Sequence, residues 1–263
     1  MTQGFAELSM YIAPPRVCQA SEAWLAQSVE RLGGRRERAI GLDLGQVWRS
    51  PRLLLTQTCG YPLMTQLRGQ VRLVGRPRYE LPHAQAGNHC SLVLARADDP
   101  RQALADFFAS HGLVNSADSN SGMNLFRHLL APWQREGRFF SRLTFTGGHR
   151  DSLRALREGR GDLAAIDSVT YDYLARDRSH EVDGLRLVAQ SAGGPSLPYI
   201  TASWRSAAQA EEIRAAMNQA LAELPEVAAT LGITEVLPAS EADYQVLLDY
   251  EAEACRLGLS MLK

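Results

Sequence analysis

The sequence has 263 residues, of which 45% are hydrophobic and 22% are charged. This composition is typical of a globular protein with a substantial core, and the length predicts either one large domain or two lobes. There are 28 basic against 29 acidic residues, and the charged clusters are short and mixed in sign. The chain therefore lacks the basic patch of a nucleic-acid-binding protein, and no nucleic-acid partner is expected.

The sequence contains no signal-peptide pattern, and no stretch approaches the roughly 18 consecutive apolar residues of a membrane helix. As written, the chain is expected to be cytoplasmic without membrane insertion, or periplasmic if a signal peptide has been removed. Four cysteines, Cys18, Cys59, Cys90 and Cys255, lie far apart and lack metal-binding spacing. We expect no metal and no cofactor, and the pattern leaves open whether Cys59 and Cys90 ever pair.

Strand and helix patterns alternate in the first part of the chain. They predict strands at residues 5–12, 39–42, 53–57, 71–81 and 89–96, with helices at 17–32 and from the Gly-Tyr-Pro turn to about 67. Two tyrosines, Tyr11 and Tyr61, fall where predicted strands end. Ligands bind at that edge of open α/β sheets, so both are candidate ligand contacts, although Tyr11 is equally compatible with a structural role.

The alternation continues after residue 100. The predicted helices are at residues 102–110, 122–135, 149–158, 168–173, 207–224, 225–231 and 241–257, and the predicted strands are at 112–114, 143–146, 162–166, 185–190 and 199–203. Such repeated β-α units predict twisted, mostly parallel sheets covered by helices.

Two polar segments interrupt this pattern, near residues 96–100 and at residues 191–198, and we interpret both as hinge crossings. They divide the chain into a discontinuous first lobe, residues 1–96 and 197–263, and a second lobe, residues 97–196. The predicted fold class is α/β with two Rossmann-like lobes and an interlobe cleft, a geometry that suits hinge closure on a ligand.

The segment 115–124 has the composition of a strand end, a polar turn and a helix start. Ser119 or Ser121 stands at the N-cap position, and the first N–H groups of a helix favour a bound phosphate, sulfate or carboxylate. Asn120 adds a possible side-chain donor, and Gly122 permits close approach to the backbone. An ordinary capped helix explains the same residues, so the segment alone leaves both interpretations open.

Four motifs occur in a fixed order: residues 54–63 (LLTQTCGYPL), residues 119–122 (SNSG), residues 146–149 (TGGH) with Ser152, and residues 161–167 (GDLAAID). Together they resemble the phosphate/phosphonate-binding-protein-like family of ABC-transporter solute receptors, over about residues 8–203. The resemblance implies a type II periplasmic-binding fold that holds a phosphonate, phosphate or phosphate ester in the interlobe cleft. An ABC permease is the implied partner.

The resemblance also implies roles for individual residues. Tyr61 would line the cleft, Ser119 and Ser121 would hold the anion, His149 would donate to it, and Asp167 would accept from a protonated oxygen or an amino group. The full set of predicted ligand-binding residues is Tyr11, Tyr61, His89, Ser119, Asn120, Ser121, Gly122, Met123, His149, Ser152 and Asp167. His89 and Asn120 depart from the family pattern, where Tyr and Thr are common.

Two other functions fit the same fold. The protein could be an enzyme that acts on a phosphorylated or pyrimidine metabolite through His149, Asp167 and perhaps Cys59 or Cys90, or it could be a cytosolic ligand sensor. Because the sequence has none of the common hydrolase, metalloprotease or phosphate-loop motifs, we expect a binding protein with no catalytic residue.

Overall fold

The computed structural model describes residues 3–262. The strands are β1 Gln3–Glu7, β2 Arg35–Glu37, β3 Leu53–Gln57, β4 Val71–Leu81, β5 Ala84–Gln85, β6 Asn88–His89, β7 Ser91–Arg96, β8 His111–Val114, β9 Arg142–Phe145, β10 Leu163–Asp167, β11 Leu185–Gln190, β12 Gly194–Pro195, β13 Tyr199–Ala202 and β14 Ile233–Leu237. The α-helices are α1 Pro15–Arg31, α2 Leu44–Trp48, α3 Gly60–Gln66, α4 Leu125–Leu130, α5 His149–Arg157, α6 Ser168–Asp177, α7 Ala207–Glu223, α8 Pro225–Leu231 and α9 Glu241–Arg256.

The chain divides into two compact units. Unit 1 comprises Met1–Asn88 and Pro195–Tyr244, and unit 2 comprises His89–Gly194 and Gln245–Lys263. The second division falls within the predicted crossing at 191–198, whereas the first lies before the predicted position near 96–100. The difference arises because β7 pairs with β10 and β11 of unit 2, and a strand belongs with the sheet that satisfies its backbone hydrogen bonds.

The end of the chain also differs from the sequence-based division, which gave residues 197–263 to one lobe. Residues from Gln245 onward belong to unit 2. Ala254 and Leu259 are fully buried in the same core cluster as Phe126 and Phe140. Because these apolar side chains find their partners there, burial of the C-terminal segment stabilises unit 2.

Unit 1 contains a mixed sheet with the order β4-β13-β3-β1-β2, and β14 pairs with β4. The strand β1 lies parallel to β2 and β3, whereas β13 is antiparallel to β3 and β4. All five residues of β3 are buried, as expected of a central strand covered on both faces. The helix α1 covers one face, where Trp24 donates to the carbonyl of Met217 at 2.9 Å and meets the ring of Tyr199 edge-on.

Unit 2 contains a five-stranded sheet with the order β11-β7-β10-β8-β9. The strands β10, β8 and β9 are parallel to one another, and β7 is antiparallel to β10 and β11. Alternate residues of β7 pack into two different hydrophobic clusters. Val93 and Ala95 belong to one of these clusters, and Leu92 and Leu94 belong to the other. Since successive side chains of a strand point to opposite faces, both faces of this sheet are covered.

The two sheets confirm the predicted α/β class, but they are mixed rather than mostly parallel. The antiparallel members β7 and β13 lie beside the points where the chain passes from one unit to the other. A strand that enters a sheet without a preceding crossover helix is free to run in either direction. Within the described residues, no helix is both long enough and apolar enough to cross a membrane.

Several element boundaries differ from those predicted. The first strand ends at Glu7, where its register with β3 ends at Thr56, so Tyr11 lies beyond the strand. The second strand is Arg35–Glu37, ahead of the predicted 39–42. The predicted helix at 122–135 is a π-helical turn, Asn120–Asn124, followed by α4 and a short 3-10 turn.

Candidate functional site

The centre of the site is the turn that follows β8 in unit 2. Ser119 is the N-cap, and its Oγ accepts a hydrogen bond from the N–H of Gly122 at 2.9 Å. The N–H of Asn124 reaches the carbonyl of Ser119 at 3.1 Å, which makes this a π-helical turn that continues into α4. Asn120 and Ser121 are the first two residues of this helical segment.

Gly122 is required by the packing of this turn. A Cβ placed on Gly122 would lie 2.8 Å from Cγ of Asn115 and closer still to its Oδ1. Asn115 in turn accepts a hydrogen bond at its backbone carbonyl from the N–H of Gly147, at 2.9 Å. Asn115 therefore connects the turn at residues 119–124 with the loop that carries His149, a role that the sequence did not indicate.

His149 begins α5 and meets the turn directly, because its Nε2 lies 3.1 Å from Oγ of Ser121. Burial lowers the pKa of His149 below its ordinary value of 6.5, while the charge of Asp167 and the backbone of Ala165 act in the opposite direction. The imidazole is consequently neutral at pH 7, and it shares a hydrogen bond with Ser121.

The loop before α5 is held in place by Thr146. Its hydroxyl lies 2.6 Å from Oγ of Ser152 and donates to the carbonyls of Gly148, at 3.1 Å, and Val114, at 3.3 Å. Ser152 is fully buried, so its hydroxyl supports the loop from within α5. Ser152 thus contacts the loop before His149, and a ligand contact from Ser152 stays a prediction.

Asp167 and His89 form a buried pair, with 3.5 Å between Oδ2 of Asp167 and Nε2 of His89. They come together because β7 and β10 pair in a register that places Ser91 opposite Asp167. The other carboxylate oxygen of Asp167 accepts from the N–H of Thr170 at 3.0 Å and so caps α6. The capping interpretation of Asp167 is therefore correct, and its second oxygen, Oδ2, faces His89.

Buried serines support this centre from behind. Ser91, which is fully buried, donates its hydroxyl to the carbonyl of Ser121 at 2.6 Å. Its N–H donates to Oγ of Ser191 at 2.9 Å, and Ser168 Oγ accepts from the N–H of Cys90 at 3.2 Å. Serines inside an apolar strand could have predicted these hydrogen bonds from the sequence, because a buried hydroxyl needs a hydrogen-bond partner.

Two other residues of the predicted set, Asn120 and Met123, make contacts within unit 2. The buried Oδ1 of Asn120 accepts from Asn124 at 3.2 Å, and Met123 packs against the core that contains Phe126. A ligand contact from either residue stays a prediction.

The predicted tyrosines belong to unit 1. The ring of Tyr11 packs edge-on against Tyr79 with 6.5 Å between centroids, which is the contact of a structural aromatic residue. Tyr61 is the second residue of α3 and is partly buried. A ligand contact from either tyrosine stays a prediction.

Neither a metal centre nor a reactive cysteine occurs at this site. Within residues 3–262, no group of three or more His, Cys, Asp and Glu side chains is arranged to hold a metal ion. Burial raises the pKa of the Cys90 thiol to about 11, so this thiol stays protonated and is a poor nucleophile. Cys59 and Cys90 are both free thiols.

The groups brought together are neutral donors: the hydroxyls of Ser119 and Ser121, the imidazole of His149 and the N–H groups that open the turn. Such groups stabilise an anion at a helix N-terminus without a basic side chain. The carboxylate of Asp167 is the only group in this set that carries a negative charge, and it suits a ligand with a hydrogen to donate.

The sequence matches a family model over residues 53–244, and the family is described as the periplasmic substrate-binding protein of phosphonate ABC transporters. The matched range covers more than half of the 263 residues. No curated protein sequence matches the chain.

Solved structures with a similar fold share little sequence with the chain. A binding protein component of an ABC phosphonate transporter from Pseudomonas aeruginosa is 14% identical, with 97% of this chain and 87% of that chain covered and a TM-score of 0.81. A Prochlorococcus marinus protein in complex with methylphosphonate is 11% identical, with 97% and 99% covered and a TM-score of 0.75. A Xanthomonas citri protein bound to ATP is 16% identical, with 98% of each chain covered and a TM-score of 0.72.

Proposed function

Because the chain belongs to the family of periplasmic substrate-binding proteins of phosphonate ABC transporters, we propose that it binds a phosphonate or a related oxyanion at residues 119–123 and His149. Membership confirms the resemblance drawn from the four motifs, and it identifies a solute-binding protein rather than an enzyme. The observation that carries the proposed site is the hydrogen bond at 3.1 Å between Ser121 and His149, which brings two of the family-type motifs together.

The affinity of such a site follows from its donors. Hydrogen bonds to a charged ligand contribute about 1.5–3 kcal/mol each. Three or four of them, from Ser119, Ser121, His149 and the backbone of the turn, support micromolar binding after the cost of ordering is subtracted. The Pseudomonas aeruginosa and Prochlorococcus marinus proteins are described as a phosphonate-transporter component and a methylphosphonate complex, which favours the same ligand class here.

Asp167 and His89 determine which oxyanion fits best. A fully deprotonated ligand oxygen next to the Asp167 carboxylate would be repelled, whereas a protonated oxygen or an amino group would donate to it. His89 stands where the family commonly has tyrosine, and its contact with Asp167 at 3.5 Å supplies a partner for that carboxylate. We expect the chain to prefer ligands that carry such a hydrogen.

Transport implies a cellular context. Proteins of this family deliver solute to a permease, so a periplasmic location and an ABC permease partner are part of the proposal. Ligand contacts from Tyr11 and Tyr61 are part of the same proposal.

Isothermal titration calorimetry tests the proposed function itself. Methylphosphonate, 2-aminoethylphosphonate, phosphate and sulfate are titrated into the wild type, S121A and the matched control S116A. We expect S121A to lose about 1–3 kcal/mol of binding free energy, because a hydrogen bond to a charged group is lost, and S116A to bind as the wild type does. The absence of binding to all four anions would contradict the proposal.

A further inference from the structure

A second cavity lies within unit 2, at the free edge of its sheet. It has a volume of about 480 Å³ and is lined by residues of β8, β9 and α5 and by the turn that follows α5. The strand β9 is the last strand of this sheet. The volume lies within the range of small-molecule pockets, about 300–1,000 Å³.

Three arginines give this cavity its positive charge. Arg142, Arg154 and Arg160 all line it, and among its lining residues the only acidic one is Asp151. Arg154 contacts Asp151 at 2.5 Å, with the arginine side chain 64% exposed and the aspartate 45% exposed. Exposed ion pairs of this kind contribute little, so Arg154 is able to turn towards a ligand.

Arg142 is the least neutralised of the three. Among the described residues, no carboxylate lies within 4.0 Å of its guanidinium, whereas Arg160 lies 2.5 Å from Glu158 outside the cavity lining. The positive charge of Arg142 adds to burial in lowering the pKa of His111. Arg142, which has no carboxylate partner and lies near the neutral His111, gives this position a positive electrostatic potential. A bound anion would be attracted to it.

The remaining lining supplies neutral donors and an apolar wall. His111 Nε2 and Thr144 Oγ1 lie 2.8 Å apart on neighbouring strands, and both groups line the cavity. Phe145 is 54% exposed on the same lining and supplies its apolar surface. Charged donors around a cavity of this size suit an anion that carries more than one charged group.

We propose that this cavity is a second ligand site, separate from residues 119–123, which binds a small organic molecule carrying two or more negative charges, with Arg142 as its principal contact. Arginine presents several donors in a planar fork that matches phosphate and carboxylate groups. Three arginines around one cavity favour a ligand with more than one such group. The inference of this second site does not depend on the proposed phosphonate site.

Equilibrium binding of pyrophosphate at low ionic strength, where screening is weakest, tests the second site. The variants are R142A, the matched control R157A and S121A. Arg157 lies on α5 but outside the cavity lining, so R157A removes the same charge from the same region. We expect saturable binding at one site per chain, weakened about tenfold or more in R142A and by less than about twofold in R157A and S121A.

Three outcomes would overturn this inference. Absence of saturable pyrophosphate binding would show that the cavity holds no oligoanion. An equal loss in R142A and R157A would assign the effect to general surface charge. Loss in S121A with normal binding by R142A would place pyrophosphate at residues 119–123. Because Arg142 is exposed, circular dichroism of R142A should match the wild type, and R142K should restore part of the binding.

Discussion

Gly122 and Asn115 are packed so closely that a side chain on one excludes the present position of the other, since a Cβ on Gly122 would lie 2.8 Å from Cγ of Asn115. Asn115 is also the residue whose backbone carbonyl accepts from Gly147, at the start of the loop before His149. The two halves of the proposed anion site are therefore adjusted to each other through Asn115.

We expect G122A to weaken phosphonate binding and to destabilise the protein by about 1–3 kcal/mol, the usual cost of overpacking. Urea unfolding and calorimetry measure the two effects. The double variant G122A/N115A removes the side chain that would clash and should recover part of the stability. G122A could instead be as stable as the wild type. That result would mean that the Asn115 side chain moves aside without a loss of stability, and that it does not couple the two loops.

The Thr146 hydroxyl is expected to control affinity without touching the ligand. Because it bonds to Ser152 at 2.6 Å and to the carbonyl of Gly148 at 3.1 Å, T146V should loosen the loop that presents His149. We expect a loss of about 1–2 kcal/mol in anion binding, from hydrogen bonds worth about 1 kcal/mol each.

The matched control for T146V is T144V, two residues earlier on β9, where the hydroxyl instead contacts His111. Calorimetry should show near-normal phosphonate affinity for T144V. Equal losses in the two variants would indicate a general effect on β9 and would remove the special role of Thr146.

His149 should make stability depend on pH. Burial lowers the pKa of His149 in the folded chain below 6.5, so the unfolded chain binds the proton more readily. Its contribution to the free energy of unfolding is therefore complete above pH 6.5 and declines as the pH falls from 6.5 towards the lowered pKa. In H149Q this decline should be smaller, which urea unfolding between pH 5 and pH 7.5 would measure, using the same buffers for both proteins.

The neighbouring residues Asp167 and His89 are present in both the wild type and H149Q. The difference between the two curves therefore isolates His149. If the free energies of unfolding of the wild type and H149Q change in parallel over the whole pH range, burial does not destabilise the charged form of His149.

Two substitutions separate the capping role of Asp167 from its proposed role in ligand selection. In D167N an amide oxygen still accepts from the N–H of Thr170, a bond of 3.0 Å in the wild type, whereas D167A loses the cap. We expect D167A to be about 1 kcal/mol less stable than D167N. Both variants should lose the preference for 2-aminoethylphosphonate over sulfate, and calorimetry with both anions measures that preference.

The sequence predicted much of this architecture because its patterns are local. The strands β3, β4 and β11 have the predicted bounds, since their apolar runs end at clear turn residues. The direction of β7 and β13 was not predictable, because pairing depends on distant partners. The proximity of Ser121 and His149 was predicted from the family resemblance. The role of Asn115 was not predicted, because no short-range sequence pattern indicates a packing contact between two loops.

Because the turn at Asn120–Asn124 is π-helical, the geometry of the proposed site depends on the number of residues in the turn as much as on their types. The bond from Asn124 to Ser119 spans one residue more than an α-helical bond. Removal of one residue from this turn would restore α-helical bonding and rotate everything before the deletion by about 100° around the helix axis. Ser121 would then be carried away from His149, so relatives that keep this site should vary here by substitution and not by insertion or deletion.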